Sequence, residues 1–328
     1  MVALAEEIGA LAREAGIDVV RTTHAQPFHG YLLADSPRRD PHLSLAEARS
    51  ILLFGVYIGG FVLPAWDDPT VGRTSRLILS GFDLDLVKPL EPVVSLLENR
   101  GFSAVACDMA QPGGSILPLK LAAVRAGIGW QGKNGLLISR QYGSFMALGG
   151  IVTDAPLEPD AGRAEDRCGK CHACQDACPV GALAEPYRLD RERCLSHRLQ
   201  TPGLPEEARR AMGNRVLQCE ICQEVCPWNR EHVRRPLDTS RTRQFRSRAD
   251  ELADLFGLFG LFQWSEQQCQ EAFLPFRTDV PYSIFRRNVV VALGRSGHRD
   301  AIPLLRRALE DEDREIREVA RVSLECGV

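Results

Sequence analysis

Cys168-Gly-Lys-Cys171-His-Ala-Cys174-Gln-Asp-Ala-Cys178-Pro179 and Cys219-Glu-Ile-Cys222-Gln-Glu-Val-Cys226-Pro227 decide how this chain is read, with Cys194 standing alone between them. The first stretch has the spacing C-x2-C-x2-C-x3-C-P, which holds 4Fe–4S clusters through thiolates. Three cysteines two residues apart wrap a tight loop around three corners of a cube. The fourth, carried away by a short helix, reaches across to the other cube. Two cubes need eight thiolates, and residues 168 to 226 supply eight. The second group lacks one member of the run, and Cys194 is placed to supply it. Cluster one is therefore expected on Cys168, Cys171, Cys174 and Cys226, and cluster two on Cys178, Cys194, Cys219 and Cys222. Pro179 and Pro227 lack an N–H and bias the chain out of a helix at those points. Two such clusters predict a redox protein that moves single electrons.

Zinc and disulfides are the competing explanations. Two CxxC pairs suit tetrahedral zinc, but zinc has no use for a third cysteine two residues on and a fourth followed by proline. Disulfides need an oxidising compartment. The start, Met1-Val-Ala-Leu-Ala-Glu-Glu-Ile, is acidic and amphipathic rather than signal-like. No apolar run approaches the roughly 20 residues of a membrane span. A cytoplasmic protein with no membrane partner is expected. Cys107, Cys269 and Cys326 fit no ligand spacing and read as buried thiols.

The chain has 328 residues, enough for two or three domains, and a formal net charge of −3. That balance neither demands nor excludes nucleic acid. Local charge says more: from Arg230 to Arg248 there are seven arginines against Glu231 and Asp238. The stretch reads either as a solvated connector or as a phosphate-contacting surface.

Residues 1–160 read as a mixed α/β domain. Leu4 to Ala15 has helical periodicity. Ile51-Leu-Leu-Phe-Gly-Val-Tyr-Ile58 is a continuous apolar run of buried-strand length. Leu90 to Leu97 predicts a helix stopped near Gly101, and Ser103 to Cys107 a strand. Leu117 to Ala126 predicts a helix ended by Gly127. Leu136 to Ser139 and Phe145 to Thr153 are expected to pair with each other around a turn near Tyr142-Gly143. Residues 161–230 form the ferredoxin-like double-cluster module, in which ligation supplies much of the order. Residues 231–328 read as helical. Ile284 to Gly297, Ala301 to Leu309 and Ile316 to Leu324 suggest HEAT-like hairpins, which bury their faces only by stacking.

Several of these residues also carry a family resemblance. Ala126-Gly-Ile-Gly-Trp130-Gln-Gly-Lys133-Asn134-Gly-Leu-Leu-Ile is followed by Tyr142-Gly-Ser144, then by the cluster run. Leu189-Asp190-Arg-Glu-Arg-Cys194-Leu-Ser196, Cys222-Gln-Glu-Val-Cys226-Pro-Trp228-Asn229 and Arg286-Arg287-Asn288 complete it. In these residues and in domain order the chain resembles the epoxyqueuosine reductases, cobalamin-dependent oxidoreductases of queuosine synthesis in tRNA. The resemblance implies a nitroreductase-like α/β domain that holds base-off cobalamin against the ferredoxin-like module. It implies electrons entering through two 4Fe–4S clusters from an external donor, and removal of an epoxide oxygen from a tRNA-borne base. Cobalamin-binding residues are then expected at Gly129, Trp130, Gly132, Lys133, Asn134, Tyr142 and Ser144; Lys133, Asn134, Tyr142 and Ser144 read equally well as turn residues, and Trp130 as ordinary core.

The departing oxygen needs an acid, best supplied by a carboxyl with a raised pKa. Here the chain departs from the family. The usual Asp, two residues, Pro and then Glu-Arg is replaced by Cys107-Asp108-Met-Ala-Gln-Pro112-Gly-Gly-Ser-Ile-Leu-Pro118-Leu-Lys120. Asp108 is the candidate acid if the loop carries an insertion; otherwise it is a strand-end turn former. Lys120 is a second candidate, as proton donor or anion contact, against the plainer reading of a helix-surface lysine.

Gly127-Ile-Gly129-Trp-Gln-Gly132 also fits G-x-G-x-x-G, but it follows a helix instead of a strand, so a dinucleotide site fails on context. Its glycines are expected to let backbone approach a large flat cofactor. His172 and His197 lie near the clusters, but eight cysteines already suffice.

Three classes of function remain open on these residues. The first is a cobalamin- and iron–sulfur-dependent reductase of epoxyqueuosine in tRNA, or a paralogue reducing another electrophile by reductive-dehalogenase-like chemistry. The second is an electron-transfer protein without its own substrate. The third is a nucleic-acid binder with structural clusters. A tRNA partner would meet the 230–248 stretch and the helical tail, and a monomer is expected.

Overall fold

The computed structural model describes residues 2–30, 36–81, 88–108, 116–160, 162, 164–273 and 280–325. The chain divides into two compact units that do not follow sequence order. The first comprises residues 1–59, 83–172 and 226–241, and the second 60–82, 173–225 and 242–328.

The first unit is built on an antiparallel sheet of order β1-β2-β6-β3, with β1 Val19–His24, β2 Ser50–Tyr57, β3 Ala104–Asp108 and β6 Met146–Thr153. Every residue of β2 and β6 is buried. These are the two central strands, covered on both faces, which is why their sequences run apolar without alternation. Helix Val2–Glu14 buries Leu4, Ile8 and Ala12, one face at four-residue spacing. Helix Glu91–Asn99 buries Val93 and Leu97. Helix Leu119–Arg125 ends before Gly127, which takes φ +78°.

One expected pairing is not made. Leu136 to Ser139 does not pair with Phe145 to Thr153. β5, Leu137–Ile138, pairs instead with β4, Trp130–Gln131, with Trp130 opposite Ile138. The reason lies in the intervening turn. Gly132 N–H donates to Leu136 O at 2.8 Å and Gly135 N–H to Gly132 O at 2.9 Å. This closes a hairpin on the N-terminal side of β5. β6 is left to pair with β2 and β3.

The second unit is helical. Helices Tyr282–Arg295, Ala301–Ala308 and Arg314–Glu325 pack through Val289, Val290, Leu293, Leu305, Ile316 and Val319. Midway along the first of these, Arg287 and Asn288 are buried against the cysteine-bearing segment. Arg287 donates to Thr201 O at 2.9 Å, Arg198 O at 3.2 Å and the Glu315 carboxylate at 3.0 Å. Asn288 Nδ2 donates to Leu199 O at 2.7 Å and Val216 O at 2.9 Å. A helical stack thus supplies the order that short cluster-binding loops cannot supply themselves. Cys107 and Cys269 are buried, and Cys326 lies outside the described residues. Among the described residues, no helix is long and apolar enough to cross a membrane.

Candidate iron–sulfur centre and active site

Cys178, Cys194, Cys219 and Cys222, the set expected on cluster two, all belong to the second unit, as does Cys174. Burial pushes the Cys219 thiol up to about 11 and the Cys222 thiol higher still. The Cys219, Cys194, Cys174 and Cys178 sulfurs add mutual repulsion at Cys222. Buried thiols so crowded keep their protons in the absence of a counter-charge, and iron supplies one.

Backbone N–H groups already face these sulfurs. Ala182 N–H donates to Cys178 Sγ at 3.3 Å. Cys194 precedes helix Leu195–Arg198, and the His197 and Ser196 amides donate to it. Ile221 does the same for Cys219. An all-thiol donor set with N–H groups turned toward the sulfurs suits an iron–sulfur cluster. Among the described residues, no three of His, Cys, Asp or Glu converge on one point as ligands of a single ion would. A cube takes one thiolate at each iron corner instead.

A buried ion network stands beside this set. Arg76 and Glu220 form an ion pair with both side chains at most 5% exposed. Glu220 also accepts the Arg76 backbone N–H at 2.5 Å. Burial pushes the Glu220 carboxyl up, against the pull of Arg76. Glu224 pairs with Arg73 and lies 4.0 Å from Arg215. The Arg73 and Arg76 guanidiniums sit 5.0 and 5.1 Å from the centre of the Trp66 ring. Sequence reasoning passed over this network. Its only local signal is that Glu220 and Glu224 stand four apart inside the Cys219 to Cys226 run. Arg76 and Arg73 lie 144 and 151 residues upstream of Glu220 and Glu224.

In the first unit, Cys226 is buried with Trp130 and Ile138, and Cys168 and Trp228 pack against them. The Trp130 and Trp228 rings meet edge to face at 4.9 Å. Cys171 is exposed. Lys133 reaches the loop that carries it: Nζ donates to Gly169 O at 2.7 Å and Cys171 O at 2.8 Å.

The residues expected to bind cobalamin now separate by what they already do. A Cβ on Gly129 would fall 2.0 Å from Ile138 O, and one on Gly132 would fall 2.4 Å from Ile138 Cδ1. Their lack of a side chain is required by the β4–β5 hairpin itself. Tyr142 Oη donates to Asp18 O at 3.3 Å, and burial pushes its phenol up. Ser144 is held by Asn229. Asn134 Oδ1 accepts the Leu136 N–H at 3.2 Å. Two buried donors, Trp130 Nε1 and Asn134 Nδ2, find no acceptor among the described residues. Buried polar atoms of this kind call for a partner. An amide donor is the chemistry a corrin's carboxamide side chains would take, so Asn134 fits that group.

Asp108 is buried at the end of β3, opposite Gly149. Pro112 and its neighbours lie outside the described residues. Lys120 is exposed on helix Leu119–Arg125. In the basic stretch, Arg230, Arg234 and Arg235 are exposed around the short helix Arg230–Arg234. Arg241 is not available to phosphate in the same way: it donates to Ala15 O at 2.7 Å and Gly16 O at 3.1 Å. His232, which the sequence did not single out, turns inward, with Nδ1 3.4 Å from Tyr57 Oη. Burial pushes its imidazole down, against a bond to the Gln141 backbone and the charge of Glu231.

Residues 167–229 match the family described as 4Fe-4S double cluster binding domain, and residues 285–311 the PBS lyase HEAT-like repeat. The chain is 31% identical to an epoxyqueuosine reductase of Lactococcus garvieae over 96% of its own length and 93% of that protein. It is 40% identical to the epoxyqueuosine reductase of Escherichia coli over 53% of this chain and 45% of that one. The chain thus spans about half the length of several curated relatives that it matches. A crystal structure of an epoxyqueuosine reductase with an epoxyqueuosine-modified tRNA stem loop superposes with a TM-score of 0.78. It is 26% identical, and the match covers 98% of this chain and 90% of that one.

Proposed function

Because the chain belongs to the epoxyqueuosine reductase family, we propose that it reduces epoxyqueuosine in tRNA to queuosine, as a cobalamin- and iron–sulfur-dependent oxidoreductase. The observation that carries this reading is the match to the Lactococcus garvieae relative across 93% of that protein. It takes in the cysteine run and the helical tail. The reaction breaks two epoxide C–O bonds and forms one C=C bond. Two electrons and two protons enter, and the oxygen leaves as water.

The eight cysteines hold the two cubes, which take electrons from an external donor one at a time. Cobalamin, when bound, supplies electron density at carbon. The chain's own residues do the rest. The antiparallel sheet and its flanking helices form the nitroreductase-like domain. Asn134 offers its amide N–H to the corrin edge. Asp108, buried at the end of β3, is the candidate acid for the departing oxygen. Arg230, Arg234 and Arg235 offer exposed charge to the tRNA backbone.

The test is an anaerobic assay. The protein, with both clusters reconstituted, is given cobalamin, a strong reductant and tRNA carrying epoxyqueuosine. The expected product nucleoside is lighter by one oxygen. Full iron, sulfide and cobalamin content with unchanged nucleoside mass would overturn the proposal. Asp108→Asn is expected to abolish turnover while leaving the clusters in place, and unchanged turnover would remove Asp108 from the mechanism.

A further inference from the structure

We propose that the indole N–H of Trp130 donates a hydrogen bond to a sulfur of the cube bound by Cys168 and Cys226, and that this bond raises the cube's reduction potential. The inference rests on the iron–sulfur reading above.

Trp130 is 3% exposed and sits in one apolar group with Ile138, Cys226, Cys168 and Trp228. Its ring is fixed from three sides. The backbone is paired opposite Ile138 in the β4–β5 hairpin. Gly129 lies so close to the Ile138 carbonyl that the hairpin has no room to shift. Trp228 meets the ring edge to face at 4.9 Å, with the planes at 76°. Packed in this group, the ring keeps its nitrogen out of water.

Nevertheless Nε1 is buried and meets no acceptor among the described residues. Indole nitrogen is a donor only, so it has no second way to be satisfied. The residues that share this buried group with Trp130 bring hydrocarbon, aromatic carbon and two cysteine thiols. The acceptors a cluster brings are thiolate and sulfide, both anionic, and a donor to an anion makes the stronger kind of hydrogen bond.

The sign of the effect follows from charge. Reduction places an additional electron on the cube, and its sulfurs become better acceptors. The bond is stronger in the reduced state, so it favours reduction. Hydrogen bonds to the sulfurs are one of the established determinants of cluster potential. Lys133 acts on the same loop through the Gly169 and Cys171 carbonyls and adds positive charge that a change at Trp130 leaves in place.

The experiment uses the full chain, anaerobic, with iron and sulfide measured before each titration. Midpoints of both clusters are read by electron paramagnetic resonance in the wild type, Trp130→Phe and Trp228→Phe. Trp130→Phe is expected to lower one midpoint by about a tenfold change in the reduction equilibrium, roughly 59 mV for one electron. The other midpoint stays in place. Trp228→Phe, which trims aromatic bulk from the same wall, is expected to leave both midpoints where they were. Wild-type protein grown with indole-15N tryptophan is expected to show a nitrogen hyperfine coupling to the reduced cluster that Trp130→Phe loses. This measurement decides the matter if the variant fails to assemble its clusters.

Full clusters with unmoved midpoints and no nitrogen coupling would overturn the inference. Unmoved midpoints with weakened cobalamin retention would overturn it too, by assigning the N–H to the corrin. Wild-type protein that takes up no iron and sulfide would instead sink the iron–sulfur reading, a different failure.

Discussion

Asn229 holds Ser144 by two hydrogen bonds at once: its Oδ1 accepts the Ser144 backbone N–H at 2.8 Å and its Nδ2 donates to Ser144 Oγ at 2.8 Å. Asn229 is fully buried. It follows Cys226 by three residues, and Ser144 leads into β6. The clasp therefore fixes the Cys226-Pro-Trp turn against the central sheet of the same unit. Gly143 makes room for it. Gly143 takes φ +61°, and a Cβ there would fall 1.9 Å from Asn229 Oδ1.

Asn229→Ala removes both of these buried hydrogen bonds from Ser144. A hydrogen bond of this kind contributes about 0.5–1.5 kcal/mol. The variant should melt several degrees lower in anaerobic thermal unfolding and lose iron sooner. Gly143→Ala should do at least as much harm, through backbone strain and the displaced carboxamide. A melting curve unchanged in Asn229→Ala would show that the clasp contributes little.

Arg76 and Glu220 are charges held out of water by each other. Removing Glu220 takes from buried Arg76 its nearest carboxylate and leaves only the more distant Glu224, at 3.8 Å, as an acidic partner among the described residues. Breaking a buried pair costs up to about 3–5 kcal/mol, whereas apolar replacement of both members is far milder. Glu220→Ala should therefore be more damaging than the double variant Arg76→Met, Glu220→Met in denaturant unfolding. The order of the two is the check. A double variant worse than the single would mean that the pair itself, not the relief of a poorly compensated charge, sustains the cysteine loop.

Glu315 links the last helix to the cysteine-bearing segment. Burial pushes its carboxyl up, but the Leu204 N–H, the Arg287 charge and the Gly203 N–H outweigh it. The carboxyl titrates below its ordinary value of 4.5. The folded state thus binds fewer protons than the unfolded chain just below that pH. The stability it contributes is complete above 4.5 and is lost as pH falls through the lower folded value. Protection of the amides of residues 282–325 against hydrogen exchange, taken relative to the intrinsic rate at each pH, should fall on acidification in this window. Glu315→Gln should exchange faster at neutral pH and respond less to acid. An identical acid response in both proteins would exclude Glu315 as the cause.

Lys133 bonds two carbonyls of the loop that carries Cys168 and Cys171. Both bonds are exposed, so water competes for them, and each contributes about 0.5–1.5 kcal/mol. Lys133→Met should release iron to a chelator about tenfold faster under anaerobic conditions. Lys133→Arg, which keeps charge and donors, should fall between the two. Equal rates in wild type and Lys133→Met would remove Lys133 from the support of that loop.

By itself the sequence determined what is local. Eight cysteines at set intervals carry their own chemistry, because ligand number and type belong to the residues. The apolar run 51–58 and the spacing of Leu4, Ile8 and Ala12 report burial, because periodicity is a property of one strand or helix. Partner choice is not local, and only the tertiary structure decided it. β5 turns back on β4 because Gly132 and Gly135 close the chain there. Ser144 meets Asn229 across 85 residues, and Arg76 meets Glu220 across 144. The same holds for Trp130. Its burial was legible as an aromatic residue in a glycine-rich stretch. That it packs in one group with Cys168 and Cys226, with its nitrogen buried and without an acceptor among the described residues, follows only from the packing of distant segments.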